Sequence, residues 1–260
     1  LANPANVGFT AGNNQALRLC AGRYVLLLNP DTEIAGAALS VMLDYIERHA
    51  EVGVVGPQLR YGDGRLQSSR RRFPTFLTAL MESTLLHQWF PQNPWARRYY
   101  LADAPDEAIQ EVDWVVGACM LVRREAIQQV GLLDEDFFMY SEELDWCRRI
   151  KRAGWRVVYL PTAVVIHHEG RSSQQVVAAR HIHFQTSKVL YFRKHHGPLQ
   201  AESLRLFLLG TYLWQWMEEG LKYILGHRRA LRRERLAAYG QVLRSGLRPP
   251  KRAAEEASHD

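Results

Sequence analysis

The chain contains 260 residues, of which 47% are hydrophobic and 23% are charged, and its formal net charge is +6. This length and composition allow one good-sized core with an appendage, or two small domains, and we expect one main domain. The three cysteines (Cys20, Cys119 and Cys147) are odd in number and lack metal-ligand spacing, which argues against a disulfide framework and favours a reducing cytoplasm.

The first half of the chain alternates between helical and strand patterns. The opening residues, LANPAN, are loop-like and carry no charged-then-apolar leader, so we expect the natural N-terminus to be missing. The residue patterns then predict a helix over 13–21, a strand over 24–28, a helix over 37–49 and a strand over 52–55 that ends at Gly56 and Pro57. This alternation predicts a doubly wound α/β fold, with a mostly parallel sheet covered by helices on both faces.

The segment YVLLLNPDTE places an acidic residue just after a predicted strand. Its short apolar run is typical of a strand buried on both faces, and Pro30 must end the strand because proline cannot donate to a sheet ladder. Ligands in open α/β sheets bind just beyond the carboxyl ends of strands, which makes Asp31 a candidate site residue. Asp31 and Thr32 could instead cap a helix beginning near Ile34.

The middle of the chain continues the alternation. Residues 60–67 predict a hairpin turned by glycines, and residues 68–72 a basic link. Residues 75–89 have a helical pattern, residues 91–105 are predicted to be loop, and residues 112–125 predict another buried strand that leads into a helix over 125–130.

Residues 137–155, FFMYSEELDWCRRIKRAGW, place three acids in one helical turn. Ser141 is the predicted N-cap, and Glu142 shares a face with Asp145. A structural account exists, since acids favour the first turn of a helix and Asp145 can pair with Arg149. Aromatic surroundings, however, raise the pKa of a carboxylate and suit a general base, so the segment also predicts a catalytic acid pair.

A third polar cluster follows the apolar strand pattern of AVVIHHEGRSS, at residues 163–173. His167 or His168 can offer an imidazole to a metal ion, and Gly170 lets the backbone pass close to a ligand. A histidine pair after a strand is often only part of a loop. Together with Asp31, however, it supplies a carboxylate and an imidazole at two strand ends, which one cleft could collect.

Positive charge is concentrated toward the end of the chain. Residues 180–252 hold 15 Lys or Arg against 4 Asp or Glu, whereas residues 1–179 hold 18 against 20. The apolar segment 204–217 is too short, and too interrupted by Arg205, to span a bilayer comfortably. Trp214, Trp216 and Tyr223 beside the basic run 227–235 suit an interfacial helix attracted to anionic lipid. The alternatives are a packed helical pair with a solvated basic face and, more weakly, nucleic-acid binding, for which no fold motif is present.

Five motifs in order carry a resemblance to a known family: NVGFTAGNNQAL, LLLNPDTE, VVGACMLVRRE, FFMYSEELDWCRR and VVIHHEGRS. They resemble the inverting family 2 glycosyltransferases, in their rhamnosyltransferase-like bacterial branch, over about residues 3–196. The resemblance implies a GT-A fold, a Rossmann-like sheet that binds a nucleotide-diphosphate sugar with Mg²⁺ or Mn²⁺. The strands and the nucleotide-base loop that normally open this fold have no counterpart before Asn6.

The resemblance also implies roles for single residues. Asp31 would contact the metal as part of an abbreviated Asp-x-Asp motif, and His167 would approach the metal or the diphosphate. Glu143, which stands where the family usually has aspartate, would be the base, with Glu142 beside it. The other implied residues are Asn6, Gly8, Asn13, Asn29, Gly117 and Ala118 for donor binding, and Asp113, Trp114 and Asp145 for acceptor binding. Asp113, Trp114, Gly117 and Ala118 could equally be core and strand-entry residues.

The sequence therefore predicts a GT-A domain over residues 1–196, a basic helical extension over 197–249 and a disordered tail over 250–260. We expect a metal-dependent inverting glycosyltransferase that acts on a lipid-linked or polysaccharide acceptor at the cytoplasmic face of the membrane, with no nucleic-acid partner. The alternative is a non-catalytic, membrane-associated or sugar-binding remnant of such an enzyme. A nucleotidyltransferase would need a Gly-rich phosphate loop with a lysine near its start, which the sequence does not contain.

Overall fold

A computed structural model describes residues 1–168 and 177–249, and within them the chain forms nine strands and ten helices. The strands are β1 (Tyr24–Leu28), β2 (Thr32–Ile34), β3 (Val52–Arg60), β4 (Leu66–Gln67), β5 (Arg70–Arg71), β6 (Gln110–Val112), β7 (Trp114–Val115), β8 (Cys119–Arg123) and β9 (Arg156–His167). The helices are α1 (Gly8–Leu19), α2 (Ala38–Arg48), α3 (Phe76–Met81), α4 (Leu85–Trp89), α5 (Pro94–Tyr99), α6 (Arg124–Val130), α7 (Glu142–Arg152), α8 (Val177–His196), α9 (Pro198–Ile224) and α10 (Arg229–Ser245).

The main sheet is mixed rather than mostly parallel. Its strand order is β1-β8-β3-β9-β2, with β4 on β3 and β6 on β9. Among the described residues only β3 and β9 pair in parallel. All other neighbours in this sheet are antiparallel, and β8 runs between β1 and β3 in the opposite direction to both. The predicted α/β class is confirmed and the predicted strand direction is wrong, since an apolar run indicates coverage on both faces but carries no information about direction.

Several element boundaries differ from their sequence predictions. β3 does not end at Gly56 and Pro57 but runs on to Arg60, because a register shift against β9 accommodates the proline. The predicted strand over 112–125 is broken into β7 and β8. Residues 75–89 form two short helices separated at Ser83, and α5 lies inside the predicted loop over 91–105. Asn93 caps α5 by accepting from the Ala96 N–H, a helix-start signal that the sequence carried.

Helices cover both faces of the sheet. On one face α2 buries Met42 and Ile46 completely against β3 and β9. On the other face α6 and α7 join a larger cluster that contains the fully buried Trp146. Leu204 of α9 and Val242 of α10 belong to this second cluster, so the C-terminal helices pack directly against the core of the main domain.

The predicted boundary between residues 196 and 197 falls at Gly197, which separates α8 from α9 with a φ of 92°. Because the cores of the two parts are continuous, the division into two domains stays a prediction. No helix in the described ranges has the length and apolar character needed to cross a membrane. Gly170 and the predicted tail over 250–260 lie outside the described residues.

Candidate functional site

Asp31 and His167 lie next to each other at the edge of the sheet. After β1 ends, the chain turns through Asn29 and Asp31 into β2, where Thr32 pairs with His167 at the end of β9. The His168 N–H donates to the Asp31 carbonyl oxygen over 2.8 Å. This pairing brings Asp31 Oδ1 to 3.3 Å from His167 Nε2 and leaves 14% of the Asp31 side chain exposed. The alternative role of Asp31 and Thr32 as helix caps is wrong, since α2 begins only at Ala38.

The contacts of His167 leave its Nε2 atom suited to a metal ion. Its Nδ1 lies 3.1 Å from Gln67 Oε1, and in the tautomer that donates from Nδ1 to this oxygen the Nε2 lone pair is available to a metal ion. Two ligands of one Mg²⁺ at right angles lie about 3 Å apart, which is close to the observed spacing of Asp31 and His167. Among the described residues no group of three or more His, Cys, Asp or Glu side chains is arranged to hold a metal.

His168 points elsewhere. Its Nε2 lies 2.8 Å from Glu33 Oε1, on a partly exposed surface. Of the two histidines that the sequence offered as a metal ligand, the geometry therefore favours His167.

The acid pair occupies the first turn of α7, beside the break between β7 and β8. Gly117 faces the Glu143 side chain: a Cβ added at Gly117 would lie 3.5 Å from Glu143 Cβ, and the nearby Gly117 N–H lowers the pKa of Glu143. Glu142 is buried, whereas Glu143 is partly exposed. One carboxylate oxygen of each has no hydrogen-bond partner among the described residues. Buried polar atoms without partners are uncommon and mark this pair as a site for a ligand or a proton.

The environment separates the pKa values of the two glutamates. Burial, reinforced by the charge of Glu143, raises the pKa of Glu142 well above the ordinary 4.5. Burial also raises the pKa of Glu143, but its backbone hydrogen bonds and the Arg71 charge oppose this. Glu142 is therefore the group that keeps its proton, and Glu143 is the group that ionises first and can act as a base.

Two left-handed residues precede the acid pair. Tyr140 and Ser141 have φ values of 69° and 66°, a conformation that costs energy in residues other than glycine and clusters at functional sites. Ser141 occupies the N-cap position of α7 as predicted, although its side chain accepts no hydrogen bond from the helix. A cap residue normally has an extended backbone, which Ser141 lacks.

The Asp31–His167 pair and the Glu142–Glu143 pair both lie near the contact between the end of β1 and the turn from β7 to β8. We call this contact the strand junction. The Asn29 N–H, two residues before Asp31, donates to the Ala118 carbonyl oxygen over 2.9 Å. Ala118 directly follows Gly117, which lies against the Glu143 side chain. The backbone of Asn29, Gly117 and Ala118 thus connects the end of β1 with the first turn of α7. Asp31, which contacts His167, follows Asn29 by two residues, and Glu143 lies against Gly117.

Asp145 forms ion pairs inside the protein. Its carboxylate is fully buried and lies 2.8 Å from Arg149 Nε, 2.7 Å from His195 Nε2 and 2.8 Å from Lys194 Nζ. Burial alone would raise its pKa, but these hydrogen bonds and charges hold the pKa well below its ordinary range. The cluster joins α7 to α8, and its contacts are structural, so acceptor binding by Asp145 stays a prediction. The predicted pairing of Asp145 with Arg149 is confirmed.

Asp113 and Trp114 are also engaged in internal contacts. Asp113 accepts from the Phe73 N–H over 2.9 Å and lies 3.3 Å from Lys151 Nζ, and the Trp114 indole donates to the Arg72 carbonyl oxygen. These contacts support the alternative of strand-entry residues. Acceptor binding by Asp113 and Trp114 stays a prediction, and Trp114 lines a cavity between the main domain and the C-terminal helices.

The predicted donor residues near the start of the chain pack against the acidic segment. Asn6 Oδ1 accepts from the Gly8 N–H, and the Asn13 side chain donates to the Phe9 carbonyl oxygen. Gly8 has a φ of 84°, and a Cβ at this position would lie 2.6 Å from the Phe138 carbonyl oxygen, so only glycine fits. Their observed contacts are structural, and donor binding by Asn6, Gly8 and Asn13 stays a prediction.

Sequence reasoning missed three residues beside the site. Gln67 orients His167, Arg71 acts on Glu143 through its charge, and Tyr140 carries the backbone strain. The arginine run at 70–72 was the one visible signal. No local sequence pattern singles out Gln67 or Tyr140, because their roles depend on the folded structure.

Comparisons with known proteins agree with the fold and the motifs. A sequence model of the family described as "Glycosyltransferase like family 2" matches residues 1–181. The N-acetylglucosaminyl-diphospho-decaprenol L-rhamnosyltransferase of Mycobacterium tuberculosis is 33% identical over 188 residues, which cover 72% of this chain and 61% of the relative. Rhamnosyltransferase WbbL of Escherichia coli K12 is 29% identical over 187 residues, covering 64% of this chain and 63% of the relative. The chain thus spans about three fifths of the length of these curated relatives.

Among solved structures, the mannosyltransferase from Pyrobaculum calidifontis in complex with GDP-Man and Mn²⁺ superimposes with a TM-score of 0.48. It is 14% identical in sequence, and the match covers 94% of this chain and 66% of that one. A similarity of this degree says nothing about the ligands of the present chain.

Proposed function

Because this chain belongs to glycosyltransferase-like family 2, we propose that it moves a sugar from a nucleotide-diphosphate donor to a hydroxyl group of a lipid-linked or polysaccharide acceptor, with inversion. The observation that supports the proposal is the strand junction of Asn29, Gly117 and Ala118, which connects the segment of Asp31, in contact with His167, to the helix turn that carries Glu143. The relatives named above are rhamnosyltransferases, which favours a deoxyhexose as the transferred sugar.

In this mechanism Glu143 performs the proton transfer. It accepts the proton of the acceptor hydroxyl while the hydroxyl oxygen bonds to the anomeric carbon from the face opposite the diphosphate. The bond from that carbon to the diphosphate oxygen breaks, and its electron pair leaves with the diphosphate. A single displacement of this kind inverts the anomeric configuration and needs no covalent intermediate on the protein. Because burial raises the pKa of Glu142, this residue keeps its proton and adds no second negative charge beside the base.

Asp31 and His167 would hold a divalent cation, Mg²⁺ or Mn²⁺, against the donor diphosphate. Such a cation supplies neutralisation of the charge that develops on the leaving oxygens. Magnesium is commonly bound by one or two protein carboxylates, with substrate phosphates and water completing its shell. Two protein ligands, rather than three or four, therefore suit a cation that arrives with the nucleotide sugar.

The proposal is tested by incubating the chain with Mn²⁺, a panel of nucleotide-diphosphate sugars that includes a rhamnose donor, and a prenyl-diphosphate-linked sugar acceptor. We expect transfer from one donor, and we expect NMR of the product to show the anomeric configuration opposite to that of the donor. Retention of configuration would contradict the proposed mechanism. Binding of the donor without transfer or hydrolysis would instead favour the non-catalytic remnant.

We also propose that the α9–α10 tip docks on the anionic surface of the cytoplasmic face of the membrane. Exposed apolar side chains follow the helical spacing of α9: Trp214, Met217, Leu221 and Ile224. Exposed cations follow directly at Arg228 and Arg229, where the chain enters α10. Apolar and basic side chains side by side suit an interface of acyl chains and anionic headgroups. Docking there would bring the chain to a lipid-linked acceptor.

Vesicle flotation tests the docking surface. Replacing Arg228 and Arg229 by glutamine should remove about 1 kcal/mol of attraction each and weaken binding to anionic vesicles by an order of magnitude or more. Leu221→Glu should weaken binding to vesicles of any charge, because it puts a carboxylate on the apolar face. Leu199→Glu, on an exposed leucine at the other end of α9, is the matched control and should bind normally. Vesicle binding that depends neither on lipid charge nor on these substitutions would contradict the proposed docking surface.

A further inference from the structure

A cavity of about 730 Å³ lies between the main domain and the C-terminal helices. We refer to it as the helix cavity. Its main-domain wall includes Arg71, Trp114 and Tyr140, and its helical wall includes Arg180 and Gln185 of α8 together with residues of α9 and α10. Its volume is within the range of cavities that bind small molecules in proteins.

One end of the helix cavity adjoins the acid pair. Tyr140 lies in the strained turn that leads into Glu142 and Glu143. Burial raises the pKa of Glu143, and the nearby positive charge of Arg71 opposes this rise. A molecule in the cavity would therefore lie beside the candidate base, and the donor would approach from the strand junction.

The helix cavity contains two cations without an acidic partner. Neither Arg71 nor Arg180 forms an ion pair within the described part of the chain. Arg71 is fixed in place, since its Nη1 donates to the Ser68 carbonyl oxygen over 2.8 Å and its guanidinium lies 4.6 Å from the centre of the Tyr100 ring. A positioned guanidinium suits phosphate oxygens, to which it can donate two parallel hydrogen bonds.

The one carboxylate that lines the cavity, Glu82, is already neutralised. Lys188 Nζ lies 3.0 Å from Glu82 Oε2, and the Tyr100 hydroxyl donates to Glu82 over 2.6 Å. Burial would raise the pKa of Glu82, but these partners lower it to about 2, so Glu82 and Lys188 form a stable ion pair. Among the residues that line the cavity, Arg71 and Arg180 are therefore the charged side chains that no lining carboxylate neutralises.

Gln185 adds a buried acceptor without a partner. Its side chain is 4% exposed, and its Oε1 has no hydrogen-bond partner among the described residues. A buried carbonyl oxygen left unpaired is costly, and a ligand hydroxyl would pair it. Next to it, Tyr140 and Phe184 pack edge to face with their ring centres 5.6 Å apart, giving an aromatic wall for the apolar face of a sugar.

We propose that the helix cavity binds the headgroup of the acceptor, a sugar joined to a diphosphate, with Arg71 and Arg180 on the diphosphate and Gln185 and Tyr140 on the sugar. The inference rests on the proposed function and deepens it, since it assigns the acceptor site to the C-terminal helices as much as to the main domain. The donor carries a sugar diphosphate too, so the test must separate the two ligands.

Binding measurements without turnover make this separation. The probes are a farnesyl-diphosphate-linked N-acetylglucosamine, the neutral octyl glycoside of the same sugar, and the nucleotide sugar with Mn²⁺. The variants are Arg71→Gln, Arg180→Gln and Gln185→Leu. Arg48→Gln, an exposed arginine at the end of α2, is the control. Arg180 is exposed, so Arg180→Gln keeps the test valid even if Arg71→Gln, which loses the bonds to Ser68, folds poorly.

We expect each arginine variant to weaken binding of the diphosphate probe about tenfold or more, since a charge-assisted hydrogen bond is lost. The neutral glycoside and the nucleotide sugar should change by less than about twofold, and the control should bind all three probes normally. Gln185→Leu should weaken binding of both glycosides. Wild-type affinity of the arginine variants for the diphosphate probe would overturn the proposal, and so would an equal loss of nucleotide-sugar binding. Normal binding without transfer would contradict only the proposed function.

Discussion

Replacing Glu143 by glutamine is expected to lower the rate of transfer by about 10²- to 10⁴-fold, the range typical of a lost general base. The amide keeps the shape of the side chain and can still meet the Gly117 N–H, but it cannot take a proton from the acceptor hydroxyl. Donor and acceptor affinities should stay close to wild type, because the change acts on the transition state. The measurement is kcat and KM for both substrates under saturating Mn²⁺.

Two further variants make this result specific. Glu125→Gln changes an exposed glutamate in the first turn of α6, so it should be fully active. Glu143→Asp keeps the base but draws it back by one methylene, and we expect an intermediate rate because a shift of about an ångström can cost as much as 10²-fold. Full activity of Glu143→Gln would assign the proton transfer to another group, with Glu142 as the next candidate.

The pH dependence follows from the same carboxyl. Burial raises the pKa of Glu143 above the ordinary 4.5, so activity should fall as the pH drops through that raised value. The stability of the fold changes in the opposite direction. A carboxyl whose pKa is higher in the folded state stabilises the fold below its unfolded pKa, and this contribution is lost as the pH rises through the folded pKa. Glu143→Gln should remove the Glu143 contribution to both trends.

The convergence of Asp31 and His167 could be predicted because it follows from local rules. Asp31 follows the apolar strand β1 by three residues and His167 is the last residue of β9, and ends of strands in one sheet tend to share a cleft. The spacing also placed Glu142 and Glu143 in the first turn of a helix, which the structure confirms. In each case a residue type and a strand or helix end carry the information together.

Other features depend on contacts that no local pattern records. The direction of β8 is decided by its pairing with both β1 and β3, and the burial of Asp145 by its ion pairs with α8. The lack of a hydrogen-bond partner for Gln185 Oε1 depends on how α8 packs against the main domain. The sequence alone also could not separate His167 from His168, since that choice depends on Gln67 and Glu33.

Replacing Asp31 by asparagine should lower the rate of transfer by about 10²- to 10³-fold, since the cation that Asp31 would hold contributes several kcal/mol to catalysis. Asparagine keeps an oxygen but loses the charge that holds a divalent ion against the diphosphate. Because the Asp31 side chain is partly exposed and its one ionisable contact among the described residues is His167, the melting temperature should hardly change. Asp44→Asn, an exposed aspartate on α2, is the control and should keep full activity.

The position of the cation tests the account most directly. Crystals of the chain grown with Mn²⁺ and the product nucleoside diphosphate can be measured at the manganese absorption edge, where anomalous scattering locates the metal. We predict a peak within about 2.3 Å of both Asp31 Oδ1 and His167 Nε2, with Glu143 free of metal, and no peak in crystals of Asp31→Ala. A manganese peak bound elsewhere, or one that persists unchanged in Asp31→Ala, would contradict the proposed site.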